Sequence, residues 1–210
     1  MEIPALGLYL VASLALILTP GQDMLYVMSR ALAQGRLAGL YSAVGVIIGI
    51  LVHTALAALG VGAILAASEG LFLALKLVGA AYLVYLGVKL FFSREVPLAA
   101  QAEGPRFSAA SLVWQGVLSN VSNPKIVLFF FAFLPQFVDP ASPHPTADLV
   151  FLGVLYAAMG LVVKAGVGLA AGSLAERVLR KPRAMVWINR VSGTILVGLG
   201  LRLAASPASH

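Results

Sequence analysis

An apolar run from about Ser111 to Val138 is interrupted near its centre by Asn123-Pro124-Lys125. The run is long enough for a helix to cross a bilayer, which takes about 20 residues. A proline inside such a helix removes a backbone hydrogen bond and breaks it. A lysine at the bilayer centre costs roughly 3 kcal/mol or more. The asparagine adds a further polar group away from water, and Ser119, Asn120 and Ser122 stand just ahead of it. An isolated defect of this kind fits an accident of packing, whereas a cluster reads as a site. The run from about Pro4 to Met28 carries a counterpart, Thr19-Pro20-Gly21-Gln22-Asp23. The rest of the chain then reads as a scaffold holding two broken helices face to face.

Composition agrees with a membrane location. The 210 residues are 60% hydrophobic and only 10% charged, with mean hydropathy +0.98, whereas soluble domains are about 25% charged. The apolar runs are continuous and too long for the alternating strands of a membrane β-barrel. An all-α integral membrane protein forming one helical bundle over residues 1–210 is expected. With no cysteine, disulfides, thiolate chemistry and Cys-based metal sites are excluded. No Walker loop or dinucleotide fingerprint is visible, so neither ATP hydrolysis nor a cofactor is expected. Glu2 and the lack of a basic n-region argue against a cleaved signal peptide.

Six spans are expected at roughly 4–28, 39–66, 71–92, 111–138, 148–174 and 186–205. The net charge of +6 comes from basic residues that alternate with the loops, a pattern of membrane orientation rather than of nucleic-acid binding. Arg30 and Arg36 fall at 29–38, Arg94 and Arg106 at 93–110, and Arg177, Arg180, Lys181 and Arg183 at 175–185. The loops at 67–70 and 139–147 hold no Lys or Arg. The positive-inside rule puts the three basic loops in the cytoplasm and both termini outside. Trp114 and Trp187 fall near cytoplasmic span ends, as interfacial anchors do.

The segment 93–110, with Pro97, Gly104 and Pro105, is the one real linker. It divides the chain into a first three-helix repeat, 1–92, and a second, 111–210. Pro20 matches Pro124 at an offset of 104 residues, and Gly49-Ile-Leu-Val-His53 matches Gly160-Leu-Val-Val-Lys164 at 111. The clearest match is at 113, where Val78, Leu83, Val84, Leu86, Gly87, Leu90 and Ser93 recur as Val191, Leu196, Val197, Leu199, Gly200, Leu203 and Ser206. An odd number of spans per unit forces opposite orientations, the inverted-repeat plan of many secondary transporters. Gly45/Gly49 and Gly168/Gly172 fit the small-xxx-small spacing of closely packed membrane helices.

Helix breaks at Pro20, Gly21 and Pro124 expose the N-termini of the second half-helices, which attract anions such as a carboxylate. Lys125 adds a positive charge and Asp23 can accept an ammonium, so together they match the two ends of a zwitterion. Thr19, Gln22, Asn120 and Asn123 can complete the hydrogen bonds. Two blander readings stand beside this one: Asp23 solvated near a span end, and a static Asp23–Lys125 ion pair. His53 and Lys164 occupy matched mid-span positions. His53 is a candidate proton carrier because histidine titrates near physiological pH, or it simply bonds a neighbouring helix. Lys164 needs a cavity or a partner, and Asp23 is a third candidate for proton coupling. Tyr82 and Tyr85 read as packing residues. His144 lies in a loop and His210 at the terminus, so no metal site is expected.

The stretches Leu18-Thr-Pro-Gly-Gln-Asp23, Ser122-Asn-Pro-Lys-Ile-Val-Leu-Phe-Phe130 and Gly79-Ala-Ala-Tyr-Leu-Val-Tyr-Leu-Gly87, with the glycine-rich last span, resemble the lysine exporter and homoserine/threonine efflux family of bacterial amino-acid exporters. The resemblance covers essentially the whole chain. Members usually have Pro where this chain has Gln22, and often Asn where it has Asp23. The resemblance implies export of amino acids or similar small metabolites across the inner membrane, driven by proton motive force. The residues alone reach only a secondary transporter with a zwitterion site, its partners a small-molecule substrate and the lipid bilayer. Oligomeric state stays open, a homo-oligomer included. The alternatives are efflux of a cation or heavy metal, disfavoured by the missing cysteines and scarce membrane carboxylates, a membrane enzyme, for which no nucleophile–base motif exists, and a regulatory subunit.

Overall fold

The structure, a computed structural model, describes residues 6–19, 21–67, 69–93, 106–138, 142–170 and 182–205. Every regular element among these residues is a helix. The first apolar run forms α1 (Leu6–Leu18) and α2 (Gln22–Gln34), bent by 48° at the break between them. Next come α3 (Arg36–Ala67) and α4 (Glu69–Phe92). The second interrupted run forms α5 (Ala109–Val121) and α6 (Pro124–Leu128). A π-helical turn (Phe129–Phe133) and a 3-10 turn (Leu134–Phe137) extend α6, and this half is bent 54° from α5. Two long helices, α7 (Pro145–Leu169) and α8 (Pro182–Ala205), close the fold.

Among the described residues two stretches, Arg36–Gly60 and Pro145–Leu169, are by themselves long and apolar enough to cross a membrane, and each bent pair meets the same test when its halves are joined. The chain is a multi-pass membrane protein. Helix α2 continues past Met28 to Gln34, so the connection expected at 29–38 shrinks to one residue between helices. That residue is Gly35, at φ 92°. Arg30, Ala31, Leu32, Ala33 and Gln34 include strong helix formers, and helix continues until glycine offers a left-handed exit. Most of the linker expected at 93–110, residues 175–181 of the expected basic loop and both chain ends lie outside the described residues, as does Pro20, whereas residues 182–185 already belong to α8.

The packing runs through glycine. Helix α3 is the hub, in contact with α2, α5 and α7. A Cβ on Gly116 would meet Ser42 O at 2.6 Å, and one on Gly45 would run into Val113 O. Gly39 faces Gly168, where a Cβ would lie 2.8 Å from the opposite Cα, so α3 and α7 cross backbone to backbone. Such approaches are open only to residues without a side chain.

Helices α4 and α8 cross in the same way, and their crossing is symmetric. Gly87 abuts Gly193 O and Val197 Cγ2, while Gly200 abuts Ala80 O and Val84 Cγ2. Shifting the first set by 113 residues turns Gly87 into Gly200 and exchanges 197 with 84 and 193 with 80. The two helices are antiparallel. The contacts therefore repeat about an axis perpendicular to both.

The core beneath the breaks is aromatic. Four of the five residues of the π-turn, Phe129, Phe130, Ala132 and Phe133, are buried. Such a wide turn is rare within helices and often marks a functional site. Phe129 packs on Tyr156 at 4.7 Å between ring centres, and Tyr9 meets Phe137 edge-on at 5.3 Å. The Tyr9 hydroxyl donates to Leu152 O at 2.6 Å, tying α1 to α7.

Candidate functional site

The two helix breaks meet, and they meet through Lys125. Asn123 caps α6: its Oδ1 accepts the Lys125 backbone N–H at 3.1 Å, with Pro124, exposed, at the first helical position. This is a regular N-cap with proline where the missing N–H costs nothing. From the first turn of α6 the Lys125 side chain crosses to the end of α1. Its Nζ donates to Leu16 O at 3.0 Å and to Thr19 O at 3.3 Å.

The reason lies in the first motif. Leu16 O would ordinarily accept from the N–H four residues on, and residue 20 is a proline with no N–H to give. The ammonium supplies the absent donor and places positive charge at the negative end of α1. Thr19 is buried, and its hydroxyl turns back to Ala15 O at 2.6 Å. Gly21 leaves the space the lysine needs, since a Cβ there would sit 3.3 Å from Nζ. Of the two roles open for Lys125, substrate ligand or ion-pair partner of Asp23, the geometry shows neither. It shows a clasp between the broken helices.

Asp23 begins the buried polar cluster. It lies in the first turn of α2 and is only 4% exposed, so it is not a solvated span end. Its Oδ2 accepts the Asn120 side-chain amide at 2.7 Å, and its Oδ1 has no partner. Asn120, at the end of α5, is wholly buried and faces Gly49, where a Cβ would come within 2.7 Å of it. Its backbone oxygen makes the second link, to His53 Nε2 at 3.3 Å. A carbonyl can only accept, so Nε2 carries the hydrogen and Nδ1 is the bare nitrogen, itself without a partner. The His53 ring stacks on Phe130 at 5.8 Å.

Around this chain stand further buried polar atoms with no hydrogen-bond partner: Asn120 Oδ1, Asn123 Nδ2, Ser119 Oγ and the Tyr156 hydroxyl. Buried polar groups are almost always satisfied, so a cluster of exceptions calls for a ligand or water. Lys164 is 3% exposed and lies within electrostatic reach of Asp23. Gln22 points outward and reaches only Ser122 Oγ, at 3.5 Å. Tyr82 and Tyr85 lie on α4, half-buried and exposed, with ring centres 6.1 Å apart. Among the described residues no three His, Asp or Glu side chains gather as a metal site.

Sequence reasoning missed Tyr156, Phe130 and the space at Gly49. Tyr156, Gly160 and Lys164 recur every four residues on the buried face of α7, and that spacing alone would have brought Tyr156 forward with Lys164. It also missed Lys76, buried on α4.

A charged and amide-rich core held between two broken helices, inside an apolar bundle, belongs to a membrane transporter rather than an enzyme. The comparisons define it further. Residues 14–206 match the LysE type translocator family, and the chain belongs to that family. It is 34% identical over 208 residues to an uncharacterized membrane protein of Vibrio cholerae, covering 99% of this chain and all of the relative. An uncharacterized membrane protein of Pseudomonas aeruginosa is 32% identical, over 98% of this chain and all of the relative. A leucine efflux protein of Salmonella typhimurium is 26% identical over 196 residues, 93% of this chain and 92% of that protein. No solved structure matches the chain.

Proposed function

We propose that this protein is a secondary transporter that exports an amino acid, or a similar small zwitterionic metabolite, across the bacterial inner membrane at the expense of the proton motive force. One observation carries the reading: the unsatisfied polar atoms of Asp23, Asn120, Asn123 and His53 converge where the two broken helices meet. Asp23, Asn120 and Asn123 contact the substrate. Lys125 and Thr19 hold the break in shape, and Gln22 stands at its rim. The amino-acid class is supported by the leucine efflux relatives. His53 is the proton carrier, with Asp23 and Lys164 the other titratable groups in reach.

The chain crosses the membrane six times, as two inverted three-helix repeats with both termini periplasmic. The symmetric, antiparallel crossing of α4 and α8 and the exposed Trp114 and Trp187 support this arrangement. The substrate site lies on the repeat axis, where both breaks can rearrange together.

The test is transport by the purified protein in proteoliposomes, with a panel of radiolabelled amino acids and an imposed pH gradient. At least one amino acid should move against its gradient, and a protonophore should stop it. A panel that moves no faster than in protein-free liposomes rejects the reading.

A further inference from the structure

Two opposite charges face the polar core without closing on each other. Asp23 is held by one oxygen only, Oδ2 on the Asn120 amide, while the buried Oδ1 accepts nothing. Helix α7 packs against α2 and brings Lys164 to the same core. Among the described residues, burial and the charge of Asp23 are the influences its ammonium feels, with no hydrogen bond among them. The two groups feel each other's charge, yet do not close into a salt bridge.

A fold that needed a static ion pair would bring the charges into contact, because a buried charge left alone is expensive. Held apart, they present a buried carboxylate and a buried ammonium to the same core. Its complement is a molecule with an ammonium and a carboxylate a few ångströms apart. Lys125 is the competing cation, but Leu16 O and Thr19 O already occupy its ammonium.

Resting on the export reading above, we propose that the substrate's two poles are Asp23 Oδ1 for the ammonium and Lys164 Nζ for the carboxylate, with Lys125 serving the scaffold. This gives the site an α-amino acid polarity: amine toward α2, carboxylate toward α7. The wall beside it is aromatic, from Tyr156 and Phe130. Lys164 becomes a binding residue rather than a proton carrier.

The experiment measures binding to the full chain in nanodiscs. Radiolabelled leucine is tried first, then the other standard amino acids, and the best binder is compared with its amide and its des-amino acid. The amino acid should bind at least about thirtyfold tighter than either analogue, the fold-change of one desolvated charge pair. In Lys164→Gln the preference over the amide should vanish while the preference over the des-amino acid stays. Asp23→Asn should do the reverse. Lys125→Met should keep both preferences. A Lys164→Gln protein that still rejects the amide overturns the assignment, and so does a Lys125→Met protein that accepts it.

If Lys164→Gln does not fold, reductive methylation with formaldehyde and cyanoborohydride reads Lys164 in the unaltered protein by mass spectrometry. The amino acid should protect Lys164 and its amide should not; equal protection by both overturns the proposal. Binding of no amino acid at all would reject the export reading, and this inference with it. Binding that ignores Lys164 rejects the inference alone.

Discussion

Replacing Lys125 by methionine removes the clasp between the broken helices while keeping most of the apolar stem. Two hydrogen bonds are lost, at 3.0 Å to Leu16 O and 3.3 Å to Thr19 O. Bonds with a charged partner contribute about 1.5–3 kcal/mol each. Against that, the half-buried ammonium no longer has to be desolvated, which offsets part of the loss. What remains is chiefly the penalty for Leu16 O without a donor, so the net expectation is about 2 kcal/mol. For a chain of this length that is a fall of about 4–8 °C in the unfolding midpoint.

The assay is thermal unfolding of the purified protein in detergent, followed by tryptophan fluorescence. The decisive arm adds Pro20→Ala, which returns an N–H at position 20 for Leu16 O. In the Lys125→Met background this change should recover at least half of the lost midpoint, while alone it should change little. A Lys125→Met protein as stable as the parent refutes the clasp. So does a Pro20→Ala change that rescues nothing. A stable, transport-competent Asp23→Asn/Lys125→Met double variant, with both singles impaired, would point instead to a structural pair between those residues.

His53→Gln keeps a hydrogen-bonding side chain and removes the titratable one, so exchange between equal substrate pools should survive while pH-driven transport fails; an unchanged pH dependence moves the proton elsewhere. Gly49→Ala places a methyl 2.7 Å from Asn120 Cβ, and such overpacking costs about 1–3 kcal/mol. It should reduce uptake and stability, whereas Gly166→Ala, with nothing within 4 Å, should do neither. A reporter fused after Ala208 should behave as periplasmic, and a cytoplasmic signal in a working protein would contradict both the orientation and the inversion of the repeats.

Much of this protein was legible without coordinates. Continuous apolar runs declare a helical membrane bundle, because lipid leaves the backbone no partner but itself. Proline and its polar neighbours declare where the two helices fail, since a missing N–H is a covalent fact. The 113-residue recurrence around Gly87 and Gly200 falls on α4 and α8, two helices that pack against each other. Asp23, Asn120, Asn123, His53 and Lys164 stood out because polar groups are costly in apolar runs.

Which of those groups touch could come only from the tertiary structure. Asn120 is 97 residues from Asp23 and 67 from His53, and no local pattern encodes that the Gly49 gap on α3 admits it between them. The sequence paired Asp23 with Lys125 because they carry opposite charges beside matched prolines. In the fold the Lys125 ammonium donates to Thr19 O and to Leu16 O, the carbonyl that Pro20 leaves without its usual donor. Charge tells which groups must find partners, whereas helix crossing sets which partner lies within 3 Å.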